Sequence, residues 1–215
     1  MYRFALISEG WTDVAVIENI IYGMLGDDAV VNPLMPLRDE TDLARHSNQN
    51  FSNWELVLEY LSTDQINLAL ATNDYLIVQI DTDMAERPEF GVQLTTNGTT
   101  KPIAQIVDEC KNLLQSRLPN NLPPEDQDRV IFAIPVLTTE CWLVGLHNEL
   151  HKHTPNKANN CEQRLLVNLK ARHKVVKDYK CYQSLSKGFR KPKALASTRQ
   201  RVECLDLFIA CGPTP

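Results

Sequence analysis

Acidic side chains follow three of the apolar segments that the sequence predicts to be strands. They are Glu9, Asp81, Asp83 and Glu140. Functional groups of an open α/β sheet collect outside the carboxyl ends of its strands, so we expect these acids at one edge of the sheet. Carboxylates at close range repel each other unless a cation lies among them, and hard oxygen ligands suit Mg²⁺ or Mn²⁺. The sequence therefore predicts a carboxylate metal site.

The spacing of Asp81 and Asp83 is that of a D-x-D pair. Residues two apart in an extended strand face the same side, so both carboxylates can bind one ion or flank two. A lone D-x-D pair is also typical of soluble turns at strand ends. The acid-glycine junction upstream, Glu9 and Gly10, and the acid downstream favour the metal site over the plain turn.

The elements that must position these acids alternate between strand and helix. The predicted strands span 2–8, 29–37, 74–81 and 129–136. Predicted helices follow Thr12 and Asp13 and span 50–62, 102–117 and 138–153, and 84–100 is a predicted loop. The second strand contains two prolines and is expected near an edge of the sheet. This alternation predicts an α/β fold with a mainly parallel sheet flanked by helices.

Charge divides the chain unevenly. Residues 1–150 hold 8 Lys and Arg against 23 Asp and Glu, a balance of −15, and residues 151–215 hold 14 against 4, a balance of +10. We predict an α/β domain over 1–150 and a basic helical extension of the same domain over 151–215, with helices at 160–173 and 193–210. A basic region suits nucleic acid, but it can equally dock on the acidic part of the same chain.

The segment 177–197, KDYKCYQSLSKGFRKPKALAS, interleaves basic and aromatic residues. That pattern suits a phosphate backbone and unstacked bases. The candidate nucleic-acid-binding residues are Lys180, Lys187, Arg190, Lys191 and Lys193. Lys187 is also the candidate for a catalytic cation near the scissile phosphate. The alternative is a basic loop that contacts an acidic partner or this chain's own acidic part.

The sequence LISEGWTD followed by YLIVQIDTD resembles the Toprim fold, which type II and IA topoisomerases, primases and OLD-family nucleases share. The family hallmark is a glutamate and a glycine after the first strand, then D-x-D after a later strand. Glu9, Gly10, Asp81 and Asp83 match it, and the resemblance covers roughly residues 3–150.

The segment IPVLTTECWLVG is similar to the E-x-W-L segment of small Toprim-like proteins found beside ATPases in bacterial phage-defence loci. Glu140 matches the last acid of that subgroup. The resemblance implies a nuclease that serves as the effector of a defence system. Because an unregulated nuclease would harm its own cell, its activity can also be latent until a partner or trigger arrives. The resemblance also implies a separately encoded ABC/OLD-type ATPase as partner, since the chain contains no Walker A motif.

By the same resemblance, Glu9, Asp81, Asp83 and Glu140 are catalytic and hold one or two Mg²⁺ or Mn²⁺ ions for phosphodiester cleavage. Gly10 would let the backbone pass close to the metal or phosphate. Asp13, one helical turn after Gly10, would support the metal ligands. Alternatively, it is an acid in the first turn of a helix, where it only complements the helix dipole. Two rival functions stay open: a non-catalytic Toprim-like binding or regulatory subunit of an ATPase complex, and an interaction protein with an acidic docking edge.

The remaining signals are weaker. Six cysteines without a CxxC pattern predict buried or free thiols in a reducing cytosol, and no run reaches the roughly 18 apolar residues of a membrane span. We therefore expect a cytoplasmic protein that binds DNA or RNA, without a membrane partner and with homo-oligomerisation left open. His147, His151 and His153 have zinc-like spacing, although a polar helix end is favoured. Trp11 either lines the site or packs as an ordinary aromatic.

Overall fold

A four-stranded parallel sheet forms the centre of the molecule. The structure is a computed structural model that describes residues 1–36, 53–147, 160–169 and 175–213. The strands of this sheet are β1 (Tyr2–Ile7), β2 (Ala29–Met35), β3 (Tyr75–Gln79) and β6 (Val130–Ala133). Their order is β2-β1-β3-β6 and every pairing is parallel. The predicted α/β fold with a mainly parallel sheet is confirmed, and so is the edge position of β2.

The register of the sheet brings three strand ends together. In β1, Ile7 pairs with Val78 of β3, and in β3, Gln79 pairs with Ala133 of β6. The strands are buried on both faces, as their nearly continuous apolar sequences require. The residues that follow β1, β3 and β6 therefore lie side by side at the carboxyl edge of the sheet.

Helices flank the sheet. In the first part of the chain they are α1 (Trp11–Leu25), α2 (Asn53–Leu61), α3 (Gln65–Thr72), α4 (Ile103–Ser116) and α5 (Pro124–Gln127). In the second part they are α6 (Glu140–His147), α7 (Cys161–Asn168), α8 (Tyr179–Ser186), α9 (Pro192–Arg199) and α10 (Glu203–Ala210). A 3₁₀ turn at Lys187–Arg190 joins α8 to α9.

The C-terminal helices pack directly on α1. Helix α8 and the 3₁₀ turn after it lie against α1, and α10 lies against α4. A Cβ placed on Gly23 of α1 would lie 2.0 Å from the carbonyl oxygen of Phe189, so glycine allows the two backbones to meet there. The described part of the basic extension, residues 160–169 and 175–213, is thus mainly helical, as predicted. The domain division at residue 150 lies outside the described residues and stays a prediction.

Several elements differ from the sequence-based prediction. The helices α3 and α8 were not predicted, and the helix expected over 193–210 is two helices separated at Gln200–Val202. The loop predicted over 84–100 contains a short hairpin of β4 (Thr95–Thr96) and β5 (Thr99–Thr100). Its turn residues Asn97 and Gly98 both have positive φ, the backbone that a tight two-residue turn requires.

The prediction that the cysteines are all free thiols is wrong for one pair. Cys141 at the start of α6 forms a disulfide with Cys161 at the start of α7. No sequence pattern marks this pair, because the two residues are 20 positions apart and meet only through the packing of α6 on α7. Cys110, Cys181, Cys204 and Cys211 are free.

The histidine pattern is only partly covered by the structure. The predicted helix 138–153 is described as far as His147, whose Nε2 lies 2.8 Å from the carbonyl oxygen of Leu185. His151 and His153 lie outside the described residues. Among the helices of the described ranges, none has the length and apolar character needed to cross a membrane.

Candidate active site at the carboxyl edge of the sheet

Glu9 and Asp81 meet where β1 and β3 end. The backbone N–H of Asp81 donates a hydrogen bond of 2.6 Å to Oε1 of Glu9. The two residues follow neighbouring parallel strands whose ends the register has already aligned. The sheet itself therefore brings this pair of predicted site residues together.

Gln79, the last residue of β3, connects both of them. Its side chain is fully buried. Its Oε1 accepts the backbone N–H of Glu9 at 3.1 Å, and its Nε2 donates to Oδ1 of Asp81 at 2.8 Å. The same Nε2 lies 3.4 Å from Oγ1 of Thr139, in the loop after β6. One buried amide thus joins the ends of three strands.

Asp13 reaches the same cluster from the first turn of α1. The backbone N–H of Asp13 donates to the carbonyl oxygen of Gly10 at 3.1 Å, which closes the first turn of α1. A Cβ on Gly10 would lie 3.1 Å from Oδ2 of Asp13, so glycine leaves room for this close approach. The hydroxyl of Thr139 donates to Oδ1 of Asp81 at 3.3 Å.

Asp83 does not share the position of Asp81. Strand β3 ends at Gln79, and the chain then turns, with the backbone N–H groups of Thr82 and Asp83 both bonded to the carbonyl oxygen of Leu137. Asp83 is exposed and Asp81 is partly buried. The expectation that the pair faces one side of an extended strand is therefore wrong, because the residues that follow the strand form a turn.

Glu140 begins α6 and is buried. Its Oε1 accepts a hydrogen bond of 2.5 Å from the hydroxyl of Tyr182, which α8 supplies. Burial, together with this bond and the charge of Glu140, raises the pKa of Tyr182, which keeps the phenol protonated as a donor. The negative charge of Glu140 also raises the pKa of Asp13, Asp81 and Asp83, which places it in the same cluster.

The acids of this cluster hold their protons more tightly than isolated carboxyls do. Burial raises the pKa of Glu9 to about 8 and that of Asp13 to about 6, and the neighbouring carboxylates add to both shifts. Burial and then the charges of four nearby acids raise the pKa of Asp81 well above its usual value. Partial burial raises the pKa of Asp83, and the negative charge of Glu140 adds to that shift. Crowded acids of one charge are the environment that a divalent cation would relieve.

The donor chemistry of the cluster fits Mg²⁺ or Mn²⁺, since all of its candidate ligands are carboxylate oxygens. Their arrangement is not that of a finished site. Across residues 1–36, 53–147, 160–169 and 175–213, no three His, Cys, Asp or Glu side chains are grouped so that they could hold a metal ion. The chemistry and charge of the residues therefore support a cation site, while the ligand geometry is not preformed.

Lys177 lies close enough to these acids for its charge to act on them. It lowers the pKa of Asp83. The pKa of Lys177 itself is raised, first by its hydrogen bond to Glu162 and further by the charges of Glu140 and Asp13. Its Nζ lies 3.0 Å from Oε2 of Glu162, and its side chain remains largely exposed. Sequence reasoning placed Lys177 in the basic segment but did not select it for the site.

Among the predicted nucleic-acid-binding residues, Arg190 contacts a part of α1 that is farther from the acids. Arg190 donates to the side-chain oxygen of Asn19 and lies 4.8 Å from the centre of the Tyr22 ring. Asn19 is six residues beyond Asp13, about 9 Å along the helix axis. Lys187 is exposed in the adjoining 3₁₀ turn, and Lys180, Lys191 and Lys193 are exposed as well. The structure thus brings the predicted acids together but does not bring Lys187 to them.

Two tyrosines of α8 hold carboxylates of the acidic part of the chain. Tyr182 contacts Glu140, and the hydroxyl of Tyr179 donates to Glu18 on α1. The Tyr179 ring also packs edge-on against Trp11, with 6.2 Å between ring centres. The sequence contains one signal for the start of this helix. Asp178 is its N-cap residue and accepts the backbone N–H of Cys181.

No family model, curated protein or solved structure matches the chain. The resemblance to the Toprim family therefore stays a prediction that depends on Glu9, Gly10, Asp81, Asp83 and Glu140.

Proposed function

We propose that the chain is a Mg²⁺- or Mn²⁺-dependent nuclease that hydrolyses phosphodiester bonds in DNA or RNA. The observation that carries the proposal is the gathering of acids from different strand ends and from α1 at one edge of the sheet. Their pKa values are raised by burial and by one another, so the cluster favours a divalent cation. The motif resemblance to Toprim nucleases agrees with this chemistry.

In this proposal Glu9, Asp81, Asp83 and Glu140 hold the ion. Bound Mg²⁺ or Mn²⁺ supplies an activated water and stabilises the leaving oxygen of the phosphodiester. Thr139 holds Asp81 in position through a hydrogen bond, and Asp13 adds its negative charge to the cluster. Because its charge reaches Asp83 and Glu140, Lys177 is better placed than Lys187 to bind the phosphate.

The basic residues of the extension are proposed to bind the remainder of the nucleic acid. Lys180, Lys187, Lys191 and Lys193 are exposed on or beside α8 and α9. A phosphate backbone binds such a face largely through charge, so the binding should weaken as salt rises. The subgroup resemblance adds a proposed role in phage defence with a separately encoded ATPase.

A second candidate is a non-catalytic nucleotide- or nucleic-acid-binding subunit. It is favoured by one observation, the lack of a ready-made group of three metal ligands in the described part of the chain. This candidate keeps the fold and the basic face, and it predicts binding without cleavage.

Cleavage assays on plasmid, single-stranded DNA and tRNA with Mn²⁺ separate the two candidates. The native chain is compared with Glu9→Ala and with a control, Glu109→Ala, which removes a carboxylate paired with Lys101 away from the cluster. The nuclease proposal expects Mn²⁺-dependent cleavage that Glu9→Ala abolishes and Glu109→Ala keeps. Cleavage that survives in Glu9→Ala contradicts it, and binding by the native chain without any cleavage favours the second candidate.

A further inference from the structure

We propose that Gln79 is a positioning residue that fixes the Asp81 carboxylate and the backbone of Glu9 for cation binding. This inference rests on the proposed function, because it concerns the same site. Gln79 belongs to none of the motif positions, and its side chain is not itself a candidate ligand. What identifies it is the set of hydrogen bonds that its buried amide makes.

Glu9, Gln79 and Asp81 form a closed ring of three hydrogen bonds. The Glu9 N–H donates to Oε1 of Gln79 at 3.1 Å, Nε2 of Gln79 donates to Oδ1 of Asp81 at 2.8 Å, and the Asp81 N–H donates to Oε1 of Glu9 at 2.6 Å. Two of these three bonds use the Gln79 side chain. Replacing that side chain therefore opens the ring that ties the end of β1 to the end of β3.

The orientation of Asp81 needs such support. The terminal torsion of an aspartate is broad and does not by itself fix the direction of its oxygens. Gln79 and Thr139 both donate to the same oxygen, Oδ1, at 2.8 and 3.3 Å. With Oδ1 held in this way, Oδ2 is the oxygen that Asp81 offers to a cation.

An amide is also suited to this place electrostatically. The charges of four other acids act on Asp81, and they provide the negative potential that attracts a divalent cation. A lysine or arginine in place of Gln79 would fix Asp81 but would cancel part of that potential. A neutral amide orients the carboxylate and leaves the charge available. Partners of this kind commonly tune metal affinity by about 10- to 100-fold.

The test measures Mn²⁺ affinity by titration calorimetry in the full chain. Gln79→Met keeps the length of the side chain and removes both polar groups. Gln79→Leu also removes both polar groups, with an apolar side chain of similar volume. The matched control is Gln105→Met, which removes an exposed amide that donates to a carboxylate of Glu109 on α4. Thermal unfolding of each variant confirms that it is folded.

We expect Mn²⁺ affinity to fall about 10-fold or more in both Gln79 variants and to change less than about twofold in Gln105→Met. We also expect that added Mn²⁺ restores the cleavage rate of Gln79→Met, because the defect lies in ion binding. Mn²⁺ affinity that is unchanged in both Gln79 variants overturns the inference. A cleavage defect that Mn²⁺ cannot restore, with native Mn²⁺ affinity, overturns it as well.

A second measurement keeps this inference separate from the proposed function. Amide hydrogen exchange of Glu9 and Asp81, measured without metal, reports the ring of hydrogen bonds directly. Gln79→Met should accelerate exchange at Glu9 about 10-fold or more, while Gln105→Met should not. If the native chain binds no Mn²⁺, the proposed function fails, and unchanged exchange at Glu9 would then show that Gln79 positions nothing.

Discussion

The acidic edge of the sheet and the basic face of the C-terminal extension hold their charged groups in different ways. At the acidic edge, Glu9 and Asp81 belong to a ring of hydrogen bonds closed by a buried amide. On the basic face, Lys180, Lys191 and Lys193 are exposed. The first arrangement fixes the position of two carboxylates relative to each other. The second supplies charge with little fixed geometry, which is enough for a phosphate backbone.

The two regions meet at α8. Its tyrosines reach into the acidic part of the chain, Tyr182 to Glu140 and Tyr179 to Glu18. Lys177, just before this helix, carries a charge that acts on Asp83. The comparison therefore separates residues that act in the acid cluster from residues that only hold α8 in place, and mutations can test that separation.

The largest expected effect comes from a matched pair of glutamates. Glu140→Gln and Glu18→Gln each alter a carboxylate that accepts a tyrosine hydroxyl of α8, yet only Glu140 belongs to the acid cluster. We expect Glu140→Gln to lower the Mn²⁺-dependent cleavage rate by about 100-fold or more, since a metal-bound carboxylate contributes several kcal/mol. Glu18→Gln should lower it less than about threefold. Similar losses in both variants would mean that the tyrosine contacts, and not the cluster, matter.

The next effect concerns the disulfide that links α6 to α7 beside Glu140. Cys161→Ser should lower the free energy of unfolding by about 3 kcal/mol, because the disulfide closes a loop of 20 residues. Cys211→Ser is the control, since Cys211 is exposed and free. Thermal unfolding with and without a dithiol reductant measures this loss. Equal stabilities of native chain and Cys161→Ser in the absence of reductant would contradict the expectation.

A smaller effect distinguishes two lysines of the basic region. We expect Lys177→Ala to lower kcat/KM by about tenfold, or about 1.4 kcal/mol, because its charge is placed to bind the phosphate. Lys187→Ala should lower it less than about twofold at moderate salt. Steady-state cleavage of one substrate by both variants provides the measurement, with Lys177→Arg as the charge-conserving control. A larger loss of kcat/KM in Lys187→Ala than in Lys177→Ala would favour Lys187 as the catalytic cation.

A further effect, seen in stability and not in activity, is a dependence on pH. The raised pKa of Glu9, about 8, means that the folded state keeps a proton that the unfolded state loses above pH 4.5. The metal-free protein should therefore lose stability as pH rises from about 4.5 to about 8, at a rate of up to about 1.4 kcal/mol per pH unit. Thermal unfolding at pH 5 and pH 8 checks this. Glu9→Gln should reduce the difference, and stability that rises over this range would contradict the raised pKa.

The residues at the strand ends could be predicted from the sequence, because a parallel sheet brings the carboxyl ends of all its strands to the same edge. Glu9 follows one apolar segment and Asp81 another, and the sheet places such positions at one edge. Asp83 was misplaced because the sequence does not mark where β3 stops and the turn begins. Gln79 was visible as a polar residue in an apolar strand, but its partners depend on which strands are neighbours.

The basic region was harder to predict for a different reason. Helix α8 is short and rich in polar residues, and its buried face is defined by packing against α1. Asp178 signals its start, but the lysines around it suggested an exposed basic loop. Lys177 reaches the acids only because α8 docks Tyr182 on Glu140. Contacts between segments far apart in the sequence determine where these side chains lie, and such contacts cannot be predicted from a single sequence.

Mn²⁺ titration of the native chain, Asp81→Asn and Asp128→Asn tests the central claim most directly. Asp81 belongs to the acid cluster, whereas Asp128 is exposed in the turn before β6 and serves as the control. If the acids of the sheet edge form a cation site, the native chain and Asp128→Asn bind Mn²⁺ saturably and Asp81→Asn does not. Binding that is absent in the native chain, or unchanged in Asp81→Asn, would contradict the account.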